Sequence, residues 1–125
     1  MLTLLAVVCV VVNALSGLAV GLTRGGVLGQ LGLPPPLPFY ADLMAIFLIA
    51  SGVGFIPAVI DPVRHRAYLW IFGVGVKAIA ASLFANLWFK GLVGYLVGLA
   101  ALADAAIAAL LLWALLSRRR EPPRA

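Results

Sequence analysis

Two residues in the C-terminal half are out of keeping with their surroundings: Lys77 in GVGVKAIAASLF and Asp104 in LAALADAAIAALL. An ammonium and a carboxylate set in apolar runs can form a buried ion pair, pass a proton or an ion, or hold a polar ligand. A second cluster, IDPVRHR, offers Arg64, His65 and Arg66 as contacts for an anionic headgroup, cofactor or partner. His65 is the only histidine and Cys9 the only cysteine. That is too few ligands for ordinary zinc, haem or iron–sulfur binding, so no metal site is expected, and no intrachain disulfide.

The elements that must position these residues are membrane helices. Of 125 residues, 65% are hydrophobic and 10% charged, and the mean hydropathy is +1.17. Soluble domains carry roughly 25% charged residues, and a chain this short has too little interior to hide so much apolar surface. The solvent is therefore expected to be lipid. Four stretches reach the length of about 20 residues that a spanning helix needs: about 2–22, 39–60, 62–89 and 91–116. They define one all-α domain, 1–117, an integral membrane four-helix bundle, followed by a basic tail at 118–125. The first stretch lacks a basic n-region and is longer than the apolar core of a signal peptide, so it reads as a retained helix. The connection TRGGVLGQLGLPPPLP bends at its glycines and stiffens at Pro34, Pro35, Pro36 and Pro38.

Basic residues set the orientation. One side carries Arg64, Arg66, Arg118, Arg119, Arg120 and Arg124, the other only Arg24 and Lys90. The positive-inside rule makes the central loop and both termini cytoplasmic, in a bacterial-type inner membrane. Phe39, Tyr40, Trp88 and Phe89 then mark the outer interface, with Tyr68, Trp70 and Trp113 at the inner one. Arginines at span ends act as topology signals, so no nucleic acid is expected as a partner. Asp61 stands where an N-cap belongs, with Pro62 at the first helical position, which starts the third helix inside the motif.

Depth is the argument for Lys77 and Asp104. At ~1.5 Å per residue, Lys77 lies more than 15 Å from either Arg66 or Lys90, and Asp104 is about as deep. A tight hairpin at Lys90-Gly91 would bring them to the same level. A charge at the centre of a membrane helix costs at least about 2.5–3.5 kcal/mol, and pairing removes much of that. Two roles remain open, a structural pair that fixes helix register and a relay or ligand site. Asp42 falls in the first turn of the second helix, where a carboxylate suits the positive helix end. Asn13 and Asn86 are candidates for interhelical glue or for lining a polar site. Gly17-x-x-x-Gly21, Gly94-x-x-x-Gly98 with Ala101 and Ala105, and Ser51, Gly52 and Gly54 form small-residue faces, and Pro57 is expected to kink the second helix.

From Tyr40 onward the chain resembles the DoxX-like family of small four-helix bacterial membrane proteins. The resemblance rests on IASGVGFIPA in the second helix, the turn DPVRHR, the lysine in GVGVKAIAASLF and the aspartate in LAALADAAIAALL. It implies an accessory membrane subunit, in some members tied to quinone-linked or sulfur-linked redox systems, with Lys77, Asp104 and His65 as the polar positions. Three functions compete. The first is a non-catalytic interaction subunit, bound to another membrane subunit or to its own copies. The second is a small proton-coupled transporter or channel using Lys77 and Asp104. The third is an enzyme acting on a lipid or quinone through His65, Arg64 and Arg66. No catalytic residue and no required cofactor is assigned.

Overall fold

The computed structural model describes residues 1–33 and 37–118. Pro34 to Pro36 and the basic tail with Arg119, Arg120 and Arg124 lie outside the described residues. The elements, in chain order, are α1 (Leu2–Leu22), α2 (Gly26–Gln30), α3 (Pro38–Gly54), α4 (Ile56–Ile60), α5 (Arg66–Tyr68), a π-helical segment (Leu69–Gly75), α6 (Val76–Phe89) and α7 (Tyr95–Arg118). No strand occurs among the described residues. Joined end to end they give four helices long and apolar enough to cross a membrane: Leu2–Leu22, Phe39–Ile60, Arg66–Phe89 and Tyr95–Arg118. Their outward faces carry large apolar side chains such as Leu4, Leu15, Phe47, Ile79 and Leu102, all exposed. Such faces suit hydrocarbon, and helices satisfy their own backbone there.

The first two spans pack along their length by backbone approach rather than by interlocking large side chains. A Cβ at Gly17 would stand 2.9 Å from the Ala45 carbonyl oxygen, and one at Gly52 would stand 3.0 Å from the Ala14 nitrogen. The third and fourth spans form the other hairpin. The two hairpins meet most closely at the end that holds Met1 and Arg118. There Leu2, Leu5, Ala6 and Cys9 of α1 share one buried core with Phe55, Ala58, Leu69, Leu111, Ala114 and Leu115. A smaller core of Val20, Leu28, Ala41 and Ala45 closes the opposite end around α2.

At that opposite end α1, α2 and α6 finish with the same closure. The residue after the C-cap takes a positive φ and donates its N–H three residues back, and the next N–H reaches five residues back. Arg24, Gly32 and Gly91 hold those positions, at φ +50°, +80° and +69°. In α6 the bonds run from Gly91 to Trp88 at 2.9 Å and from Leu92 to Leu87 at 3.1 Å. The closure on α2 brings Gly32 against the 90–94 connection, where a Cβ would meet the Gly94 nitrogen at 2.8 Å. This contact ties the first connection to the third.

Several boundaries differ from the sequence reading. The third helix begins at Arg66 rather than residue 62, because Asp61 caps a separate turn. Its carboxylate accepts the Arg64 N–H at 3.0 Å, and its carbonyl accepts the His65 N–H at 3.2 Å. The fourth helix begins at Tyr95 rather than residue 91, since the α6 closure consumes Gly91 and Leu92. The connection at Lys90-Gly91 is correspondingly longer than a tight hairpin. Pro57 does interrupt its span. Helix α3 stops at Gly54 and α4 restarts at Ile56, with Pro57 in its first turn.

The packing predicts that Gly17→Leu abolishes the folded protein, because the added side chain meets α3 backbone. Gly29→Ala, where nothing lies within 4 Å, should leave the unfolding midpoint in detergent within a degree or two. Arg24→Gly should stabilise, by up to about 1 kcal/mol, by relieving the left-handed backbone.

Candidate functional site

Lys77 and Asp104 meet. Lys77 Nζ donates to Asp104 Oδ1 at 3.0 Å, and the lysine side chain is 6% exposed against 17% for the aspartate. The ammonium also donates to Asn13 Oδ1 at 3.2 Å. The Asn13 amide in turn donates to Ser51 Oγ at 3.2 Å, and the Ser51 hydroxyl donates to the Leu48 carbonyl at 3.0 Å. Each of the four spans thus supplies one side chain to a single connected layer, and each lies near the middle of its span. No buried side-chain nitrogen or oxygen among the described residues lacks a partner.

Local structure explains how the layer is aimed. Along the third span the buried positions are Leu69, Gly73, Lys77 and Ala81. A four-residue spacing drifts round a regular α-helix of 3.6 residues per turn. The π-helical segment Leu69–Gly75 widens the turn with i→i+5 bonding and holds that spacing on one face. Gly73 lets the segment close on the fourth span, where its Cβ would stand 2.6 Å from Leu111 Cδ1. Lys77 is thereby delivered inward two residues after the segment ends.

The break in the second span adds a further link. The Phe55 N–H bonds to Gly52 at 3.1 Å, so the Ser51 carbonyl loses its regular helical donor. The Tyr68 hydroxyl supplies one, donating at 2.7 Å. Tyr68 is wedged edge-on against Phe55 with ring centroids 4.8 Å apart and stacked on Phe72 at 4.5 Å. The polar chain therefore runs from Asp104 through Lys77, Asn13 and Ser51 to Tyr68, near the Arg64–Arg66 turn.

The other expected site residues stand apart. Asn86 lies on the exposed side of α6, away from the layer; its carbonyl accepts the Lys90 N–H at 3.1 Å, and its side-chain amide joins no other described residue. Asp42 is exposed one turn inside α3, whose first turn contains no acid, so it lies beyond the first turn, where a carboxylate would best suit the positive helix end. Arg64 and Arg66 are exposed and His65 half-buried, with Arg64 and His65 in the turn before the helix. Tyr68, two residues into the third span, turns its hydroxyl inward as a hydrogen-bond donor. Ser51 entered the sequence reading only as a small packing residue. Its depth, matching that of Asn13, Lys77 and Asp104, was the signal for its polar role. Among the described residues no three His, Cys, Asp or Glu side chains gather as a metal site would require.

Compared with protein-family models, with curated proteins and with solved structures, the chain finds no match.

Magnitudes rank the contributions. An interhelical hydrogen bond in a membrane averages about 0.6 kcal/mol, whereas an unpaired central charge costs about 2.5–3.5 kcal/mol. Lys77→Met and Asp104→Leu should each destabilise by about 2–3 kcal/mol, with the double variant close to the parent protein, because replacing a whole buried pair by apolar groups is often neutral. Asn13→Ala should cost about 1 kcal/mol. Reversible unfolding in mixed micelles measures all four.

Proposed function

We propose that the chain is a non-catalytic interaction subunit of a bacterial-type inner membrane, working with another membrane protein or with its own copies. The single observation that supports this most is that every side chain of the polar layer is bonded to another part of the protein. Lys77 is held by two acceptors on different spans, the bonds continue to Ser51 and Leu48, and no buried side-chain nitrogen or oxygen among the described residues lacks a partner. A layer of this kind is spent on holding the four helices together, which leaves their outward faces to meet a partner. The resemblance to DoxX-like proteins points the same way, and membership of that family is part of the proposal. Both termini are assigned to the cytoplasm on the strength of the exposed Arg64, Arg66 and Arg118 at their end, against Arg24 and Lys90 at the other.

One observation favours a second reading, a proton-coupled transporter. Asp104 keeps 17% side-chain exposure while its partner keeps 6%, so the carboxylate is the more accessible member of the pair. A carboxylate that releases the lysine on protonation would be the switch. The enzyme reading through His65 is weakest, because Asp61, the nearest carboxylate, is committed to the Arg64 N–H.

Lys77→Met with Asp104→Leu should insert normally and retain whatever protein co-purifies with the parent in mild detergent. Loss of that partner by a double variant of unchanged stability would refute the subunit reading. In proteoliposomes, pH-driven flux that vanishes in Asp104→Asn would establish the transporter instead. Orientation is read by thiol labelling in a Cys9→Ala background. A cysteine at Ser117 should react from the cytoplasmic side only, and one at Lys90 from the opposite side only.

A further inference from the structure

Beyond the polar layer, toward the 90–94 connection, the third and fourth spans leave an apolar groove of about 440 Å³ between them. It is lined by the small residues Ala81, Ala85, Gly98 and Ala101 and, toward the 90–94 connection, by Trp88, Phe89 and Tyr95. We propose that this groove is a lipid site. It takes one acyl chain of an anionic phospholipid from the leaflet at the Lys90 end, with the phosphate held by the Lys90 ammonium.

The shape and direction fit an acyl chain. From Phe89 down to Ala81 the groove follows the helix for about 12 Å, from the interface toward the bilayer centre, as a lipid tail runs. It opens outward, with Phe89, Leu99 and Leu102 along it exposed. Its deep end stops one turn short of Lys77 and next to Asp104, where the polar layer would arrest a methyl terminus. The hydroxyl of Ser82 on its wall is spent on the Ala78 carbonyl at 2.8 Å, so the interior rewards hydrocarbon alone.

The charge preference comes from a residue in the connection between the lining residues Phe89 and Tyr95. Lys90 follows Phe89 directly and is exposed. No ion pair or side-chain hydrogen bond joins it to another described residue. Aromatic side chains at the level of lipid headgroups flank it. A partner helix fits less well. The Trp88 indole already covers Gly98, where a Cβ would stand 3.0 Å from the ring, and this removes the closest approach a helix would use. The volume matches roughly one turn of a helix about 10 Å across.

The proposal stands whether the chain is a subunit or a transporter. Its test uses the full chain in detergent, given phosphatidylglycerol or phosphatidylcholine of identical acyl chains, with native mass spectrometry counting retained lipid. One phosphatidylglycerol should be retained about fivefold more strongly than phosphatidylcholine. Lys90→Gln should erase that preference, and Ala85→Leu should remove retention of both lipids. Ala105→Leu, at an exposed position that lines the groove from the fourth span, serves if Ala85→Leu fails to fold. In a Trp70→Phe, Trp113→Phe background, lipid brominated on its acyl chain should quench Trp88, and the filled variant should lose that quenching. Preference unchanged by Lys90→Gln, or retention and quenching unchanged in a folded filled variant, overturns the proposal. So does a dimer whose formation shields Trp88 from the brominated chain, since the occupant would then be a second copy.

Discussion

A charge within hydrocarbon must find its counter-charge inside the protein, and the rest of this molecule is arranged around that demand. Lys77 cannot reach water from the middle of its span, so the fourth span has to bring Asp104 to it. The cation then has donors to spare. Asn13 takes one, which draws in the first span, and the amide left over reaches Ser51 on the second. One unfavourable residue thus recruits a group from every helix. Apolar packing against lipid specifies helix rotation poorly, because the tails are as apolar as the side chains. The polar layer provides the missing specificity.

The bundle is unlike at its two ends for a related reason. At the end bearing Met1 and Arg118, large side chains from all four spans fill one core around the fully buried Phe55, Leu69 and Leu111. At the other end the hairpins are joined by loop contacts, Gly32 against Gly94, with helix closures that spend their orphan carbonyls on turn N–H groups. The π-helical segment sits between the tight core and the polar layer. Its extra width reconciles the register that Leu69 and Tyr68 need with the one that Lys77 needs.

Much of this was legible in the amino-acid sequence because membrane helices announce themselves by length and apolarity. The four spans follow from that rule, and the meeting of Lys77 with Asp104 followed from depth and the cost of isolated charge. What stayed hidden depends on rotation and on backbone irregularity. Ser51 reads as another small residue until the face it shares with Asn13 is known. Tyr68 looks like an interfacial aromatic because nothing local reveals that the second span has a carbonyl to offer it. Asp61 followed by Pro62 has the form of a helix start, yet a turn uses the same bonds. The shift of the fourth helix to Tyr95 arises because Gly91 closes α6 before the chain turns. Asn86 faces outward although its residue type matches that of Asn13, which shows how little residue type says about facing.

The order in which the polar groups occur along the chain bears on how the protein is made. Synthesis delivers Asn13 first, then Ser51, then Lys77 and finally Asp104. When the lysine segment leaves the ribosome, an amide oxygen capable of receiving its ammonium is already in place on an earlier helix, and the carboxylate is still to come. The half-built chain therefore has a provisional acceptor for its most awkward side chain. Arrival of the last helix completes the set and seals the assembly.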